Sequence, residues 1–125
     1  MGQYFRLINY DKREYVDPWR LGGLAKLFEW CANRQAGVIP FLLRKSDEGG
    51  GGDIQRDYHT AGRWAGERIA LIGDYDSSED YESAEREFTD ISRELGLEYN
   101  DFIEAEGLQL ELPPEEPGGT PEDNK

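Results

Sequence analysis

Residues 73–85, GDYDSSEDYESAE, place acidic side chains at nearly alternate positions. If Asp74 is position 1, oxygen-bearing side chains fall where a calcium-binding EF-hand loop takes its ligands. These ligand positions hold Asp74, Asp76, Ser78, Asp80, Glu82 and Glu85. Position 6, which such a loop fills with Gly, holds Glu79, and a strand rather than a helix is predicted before the stretch. A divalent-metal site is therefore one hypothesis for residues 74–85.

The same acidic residues also suit the start of a helix. Ser77 or Ser78 supplies a capping hydroxyl, and carboxylates in the first turn are stabilised by the helix dipole and the free N–H groups. A segment wound at helical pitch from Ser78 could not encircle one ion. We favour the helix interpretation and keep the metal site as the alternative.

A second set of candidates surrounds His59, the only histidine of the chain. His59 is flanked by Arg56, Asp57 and Tyr58, and as a general base it would need a carboxylate that orients it and a substrate pocket. Arg63, Trp64 and Arg68 could form a cation–π or anion-binding patch. The alternative is that Trp64 closes the core while the arginines pair with nearby acids. His59, Arg63, Trp64 and Arg68 are our candidates for contact with a partner or an anion.

Cys31 is the only cysteine, so an internal disulfide is excluded. It falls on the apolar stripe of a predicted helix, where a free cysteine behaves as a small hydrophobe. The run of glycines at 49–52 lacks the Gly-Lys-Ser/Thr ending of a phosphate-binding loop. We expect no cofactor and consider an enzyme less probable than a non-enzymatic protein.

The charge is strongly one-sided: 27 acidic residues against 14 basic ones give a formal net charge of −13. Repulsion of this size destabilises a compact domain in dilute buffer and is screened in concentrated salt. The composition therefore favours a salt-loving cytoplasm over an ordinary acidic protein with a polar tail. It disfavours general nucleic-acid binding and anionic membranes.

The chain of 125 residues suits one domain, predicted over 1–112, followed by a disordered Pro/Gly-rich tail at 113–125. No apolar run is long enough to span a membrane, and residues 1–15 lack the apolar core of a signal peptide. A cytoplasmic protein is expected.

The hydrophobic pattern predicts an α+β fold with a small antiparallel or mixed sheet covered by two or three helices. In the first half, it indicates a β-hairpin (3–10 and 13–16) and a helix over 23–33. The apolar run 38–43, with Pro40, fits either a second short helix, which we favour, or an edge strand. In the second half, it indicates a central strand at 68–75, a helix from Ser78 to Leu95 with Gly96 just after it, and an edge strand at 108–112. The expected arrangement has the helices on one face of the sheet.

Four sequence blocks resemble a family of short uncharacterised proteins of bacteria, phages and salt-loving archaea. They are MGQY at the start, NYDKREYVDP at 9–18, a Gly-rich middle and GRWAGERIALIGDYD at 62–76. The resemblance covers roughly residues 1–94 and implies no activity, cofactor or catalytic residue.

Two functions remain as expectations. The first is a small accessory or interaction protein of phage or mobile-element type, with exposed aromatic residues near the hairpin and Trp64, or self-association through the hairpin edge. The second is a divalent-metal module or metal-dependent enzyme that uses Asp74, Asp76 and His59.

Overall fold

A mixed four-stranded sheet forms the centre of the computed structural model, which describes residues 2–46 and 50–114. The strand order is β3-β1-β2-β4; β1 runs antiparallel to β2 and β3, and β2 runs parallel to β4. The strands are β1 (Phe5–Asn9), β2 (Glu14–Val16), β3 (Ile69–Gly73) and β4 (Thr89–Asp90). The predicted hairpin and the α+β class are confirmed.

Four α-helices and three 3-10 helices surround this sheet within the described residues. The α-helices are α1 (Leu27–Ala32), α2 (Val38–Leu43), α3 (Asp80–Glu87) and α4 (Ser92–Phe102). The 3-10 helices are Pro18–Leu21, Arg34–Gly37 and Glu106–Leu108. The short helix predicted at 38–43 is confirmed, with Pro40 in its first turn, where its missing N–H costs no hydrogen bond. None of the described helices is long and apolar enough to cross a membrane.

Helices cover both faces of the sheet, not one as predicted. Leu7 of β1 faces the larger core, which it shares with Trp30, Leu42 and Leu95 from α1, α2 and α4. Ile8 points to the opposite face and packs with Ala84 of α3 in a smaller core. Successive side chains of a strand alternate between faces, so β1 contributes to both cores.

The strand predicted as central, 68–75, lies at an edge of the sheet, and β1 takes the interior position. Its apolar run has a different cause from the one we assumed. Ile69 and Leu71 pack against the larger core, whereas Ile72 packs against the smaller one. The segment is apolar because helices cover both faces of the sheet, although among the described residues the strand lies at an edge and pairs on one side only.

The predicted helix 78–95 is interrupted. α3 ends at Glu87, the backbone is extended at Phe88 (φ −102°, ψ 161°), and β4 pairs with β2 before α4 begins. Gly96 does not end a helix but lies buried inside α4. A Cβ on Gly96 would stand 2.6 Å from the side chain of Leu112, so glycine here admits the C-terminal segment.

Residues 108–112 do not form the predicted edge strand. The side-chain amide of Asn100 donates to the carbonyl of Leu110 (2.8 Å) and accepts from its N–H (2.7 Å), so one side chain replaces a neighbouring strand. The predicted tail, 113–125, lies outside the described residues from position 115 onward.

The predicted helix 23–33 begins only at Leu27. The Glu29 carboxylate accepts the N–H of Lys26 at 3.0 Å and so fixes the start of α1. This start is four residues later than the one predicted near Gly23. This late start leaves Leu24 outside the helix. Cys31 is exposed, contrary to the predicted apolar position, because α1 buries Trp30 instead.

Gly22→Ala is expected to lower the free energy of unfolding by about 1–3 kcal/mol. Gly22 has φ +75°, and a Cβ there would overlap the carbonyl oxygen of Glu111. Urea unfolding measures the change, with Gly51→Ala as the control because a Cβ on Gly51 meets open space. Equal stability of the two variants would contradict the placement of the C-terminal segment against Gly22.

Candidate functional site

The acidic stretch forms a turn that leads into α3. The Asp76 carboxylate accepts the N–H of Ser78 (3.0 Å), and the Ser78 hydroxyl accepts the N–H of Asp80 (3.1 Å). Glu79 takes the left-handed conformation (φ 64°) that the EF-hand comparison requires at position 6. The turn nevertheless follows β3 rather than a helix, and its polar groups bind each other.

Three other candidate ligands are engaged in separate contacts. Asp74 accepts the N–H of Tyr4 (3.0 Å), Asp80 accepts the Tyr10 hydroxyl (2.8 Å), and Glu85 pairs with Arg6 (3.3 Å). Among the described residues, no group of three or more His, Cys, Asp or Glu side chains is placed to hold a metal ion. The geometry fits the start of a helix, but α3 begins at Asp80 and not at Ser78 as predicted. Its N-cap residue is Glu79, which makes no side-chain capping hydrogen bond, so the predicted cap at Ser77 or Ser78 is wrong.

Millimolar CaCl2 is expected to shift the melting temperature no more than KCl at equal ionic strength. Bound calcium would stabilise the folded state by mass action, but these carboxylates are spread over separate contacts. Melting curves with CaCl2 and with EDTA test this. An EDTA-sensitive shift that Asp76→Asn removes would restore the metal hypothesis.

Trp64 and Arg63 are internal partners of Glu14. Trp64 is fully buried, and its indole N–H donates to the Glu14 carboxylate at 2.8 Å. Arg63 binds the same carboxylate through Nε (3.0 Å) and a terminal nitrogen (2.5 Å). Burial alone would raise the pKa of Glu14, but these hydrogen bonds and the charge of Arg63 outweigh it and lower the pKa. The structure thus places Trp64 in the core and not on a partner surface.

His59 lies between a carboxylate and a guanidinium. Its Nδ1 is 2.6 Å from the Glu94 carboxylate, and its Nε2 is 3.0 Å from a terminal nitrogen of Arg63. Arginine can only donate, so Nε2 accepts and the Nδ1–H donates to Glu94. The lone pair that a general base would use is therefore occupied.

Glu94, which sequence reasoning missed, belongs to an acidic stripe on α4 that holds the loop 56–60. Glu98 accepts both the N–H (2.7 Å) and the hydroxyl (2.6 Å) of the buried Thr60. Asp101 accepts the Tyr58 hydroxyl (2.6 Å) and pairs with Arg56 (2.7 Å). The spacing of residues 94, 98 and 101 is helical, and this was the signal available in the sequence.

Arg68 lies apart from this network at the start of β3. Its guanidinium Nε and a terminal nitrogen each lie 2.8 Å from Oδ1 of Asp11, and its backbone N–H donates to Oδ2. The bonds from Arg68, the backbone one first, lower the pKa of the Asp11 carboxyl. The four candidates for partner or anion contact therefore do not form one patch.

A cavity of about 330 Å³ lies between the C-terminal segment and the chain around Gly22. Arg34 crosses it, donating to the carbonyl of Gln109 (3.2 Å) and standing 3.6 Å from the Glu111 carboxylate. The buried Gln35 amide binds the backbone of Leu24 on both sides. Arg34 therefore holds the C-terminal segment, and Gln35 fixes the backbone at Leu24.

Several large apolar side chains are exposed at the end of the sheet where β1 begins, and we call them the apolar surface. Tyr4 and Trp19 meet edge-to-face with ring centroids 5.5 Å apart. The N–H of Phe5 donates to the carbonyl of Ala25 (2.8 Å), which brings the start of α1 beside them. The apolar surface consists of Tyr4, Trp19, Leu24, Leu27, Phe28 and Tyr75, and Phe28 is the most exposed at 76%.

No family model, no curated protein and no solved structure matches this chain. The resemblance to short uncharacterised proteins therefore stays a prediction.

Proposed function

We propose that this chain is a small non-enzymatic accessory protein that binds a protein partner through the apolar surface. The observation that carries the proposal is the exposure of the large apolar residues named above on neighbouring segments. Contiguous apolar residues on the surface of a small protein mark interaction sites, and aromatic anchors dominate the energy of such contacts.

The charges near the apolar surface indicate the chemistry of the partner. Residues 74–82, which include Tyr75, carry five acidic side chains and no basic one. Across interfaces, the charged rims are complementary in sign. The partner we propose therefore presents an apolar centre with a basic rim.

Phe28→Ser and Trp19→Ser test this proposal. Each variant is expected to keep the melting temperature, since both side chains are exposed, and to weaken partner binding by roughly 30-fold, the effect of losing a hot-spot residue. The partner is captured on immobilised wild-type chain and its binding to each variant is measured by calorimetry. Leu97→Ser is the control, because Leu97 is exposed on α4, outside the apolar surface. Equal binding by all variants would overturn the proposal.

The proposal places this accessory protein in a salt-rich cytoplasm, on the basis of the net charge of −13. The melting temperature is then expected to rise from dilute buffer to molar KCl, because salt screens the repulsion among carboxylates. Differential scanning calorimetry across a KCl series measures it, with sucrose at matched osmolality as the control. A melting temperature that stays constant or falls with KCl would contradict this part of the proposal.

A further inference from the structure

The outer edge of β3 is unpaired within the described residues. Tyr10 donates to the carbonyl of Arg68 (2.9 Å) and Asp74 donates to the carbonyl of Tyr4 (2.8 Å). In an antiparallel ladder, these two bonds mean that the N–H and C=O groups of even-numbered residues in β3 point toward β1. Ile69 and Leu71 therefore point their N–H and C=O groups away from the sheet, and no described residue binds them.

The strand Ile69–Gly73 itself lacks the charges and prolines that usually block strand pairing; charged residues flank it, and its last carbonyl, that of Gly73, accepts the N–H of Asp76 (3.1 Å). The segment Ile69–Gly73, IALIG, contains no charged residue and no proline, and its pairing with β1 is regular. The opposite edge, β4, is only two residues long and thus well protected. An apolar edge strand of five residues is a template for another strand.

We propose that a second copy of this chain pairs with β3, antiparallel, about a twofold axis at Leu71. In that register Arg68 stands opposite Asp74 of the second copy, because each lies three residues from Leu71. Both side chains are on the face of Ala70 and Ile72. The Arg68 side chain is 77% exposed and already binds Asp11 of its own chain, so Asp74 of the second copy would share the guanidinium with Asp11. Opposite charges directly across a strand pair are stabilising.

Side-chain size fits the same register. Ala70 falls opposite Ile72 of the second copy, so a small residue meets a large one in that pair. Ile69 falls opposite Gly73 of the second copy, which is covered on its Cβ side by Gln3 of its own chain. The outward N–H of Leu71 donates to the C=O of Leu71 in the second copy, and its outward C=O accepts the N–H of that residue. The two sheets then form one continuous sheet of eight strands.

The dimer goes beyond the proposed function and does not depend on it. The strand Ile69–Gly73 contains no residue of the apolar surface, so a dimer presents two such surfaces. Because each copy carries −13, dimerisation is expected to strengthen as moderate KCl screens the overall repulsion.

The first test uses charge reversal and light scattering of the full chain in moderate KCl. Arg68→Asp and Asp74→Arg each place like charges opposite one another and are expected to weaken the dimer about tenfold. An equimolar mixture of the two variants restores unlike charges at both pairs and should return the mass to twice 14.3 kDa. Arg13→Asp, a change on an exposed arginine outside β3, is the control and should remain dimeric.

The second test removes an outward N–H. Ile69→Pro is compatible with the monomer, because position 69 begins β3 and its N–H faces outward. We expect this variant to be folded by circular dichroism and monomeric, whereas Ile69→Ala, which keeps the N–H, remains dimeric. The inference is overturned if the wild type is monomeric at millimolar concentration, if Ile69→Pro remains dimeric, or if the charge-reversed mixture is no more dimeric than its components.

Discussion

Glu14→Gln is expected to lower the free energy of unfolding by about 3 kcal/mol, since it leaves the partner of a buried ion pair uncompensated. The Glu14 side chain is 7% exposed, and its carboxylate receives Arg63 and the indole of Trp64. The Arg63 side chain is 24% exposed, so partial solvation keeps the cost at the lower end of the range for buried pairs.

Urea unfolding measures this loss, and Glu87→Gln is the matched control. Glu87 pairs with Arg13 at 3.3 Å, but its side chain is 53% exposed, and such surface pairs contribute about 0–1 kcal/mol. Similar losses for the two variants would show that the Glu14 pair is not buried in solution.

The same carboxylate gives the stability a defined dependence on pH. Because the pKa of Glu14 is lower in the folded chain than its usual value of 4.5, its stabilisation is complete above pH 4.5. It is lost as the pH falls through the folded-state pKa. Asp17 has the opposite sign, because burial raises its pKa. The wild type should therefore lose more stability than Glu14→Gln between pH 5 and the acid range, and parallel acid curves would contradict this assignment.

The predictable part of the fold is the part with one periodicity per segment. The hairpin alternates along β1, so its local pattern was sufficient. The apolar run 38–43 has no such periodicity, and Pro40 allowed either a helix or an edge strand there. The interruption at 88–91 was hidden because its apolar residues continue a helical stripe. Ala84 and Phe88 belong to the smaller core, whereas Ile91 and Leu95 belong to the larger one on the other face of the sheet. One straight helix cannot serve both faces, so the chain passes through β4.

The candidate site was predictable only in its residue types. His59, Arg63 and Trp64 were identified from their chemistry, but their partners, Glu14 and Glu94, lie 49 and 35 positions away. No local spacing connects residues so distant in sequence. Whether an arginine is free to bind an anion depends on whether a carboxylate of the same chain lies beside it. The sequence did not show that Glu14 lies beside Arg63, so both interpretations stayed open.

Leu95→Ala is expected to lower the free energy of unfolding by about 3 kcal/mol, the typical loss for a buried leucine that leaves a cavity. Leu95 is fully buried in the larger core, between the sheet and the 3-10 helix that ends at Leu21. Leu97→Ala is the matched control on the same helix, because Leu97 is 50% exposed and should change little. Urea unfolding of both variants measures the difference.

The larger loss should extend to the loop 56–60, because α4 also carries Glu94, Glu98 and Asp101, which bind this loop. Hydrogen exchange at the N–H of Thr60, which is bound to Glu98, reports this coupling. If opening of the loop requires global unfolding, the free energy of opening measured at that amide should fall in Leu95→Ala. The fall should equal the loss of unfolding free energy measured in urea. Faster exchange without loss of global stability would show instead that the loop opens alone.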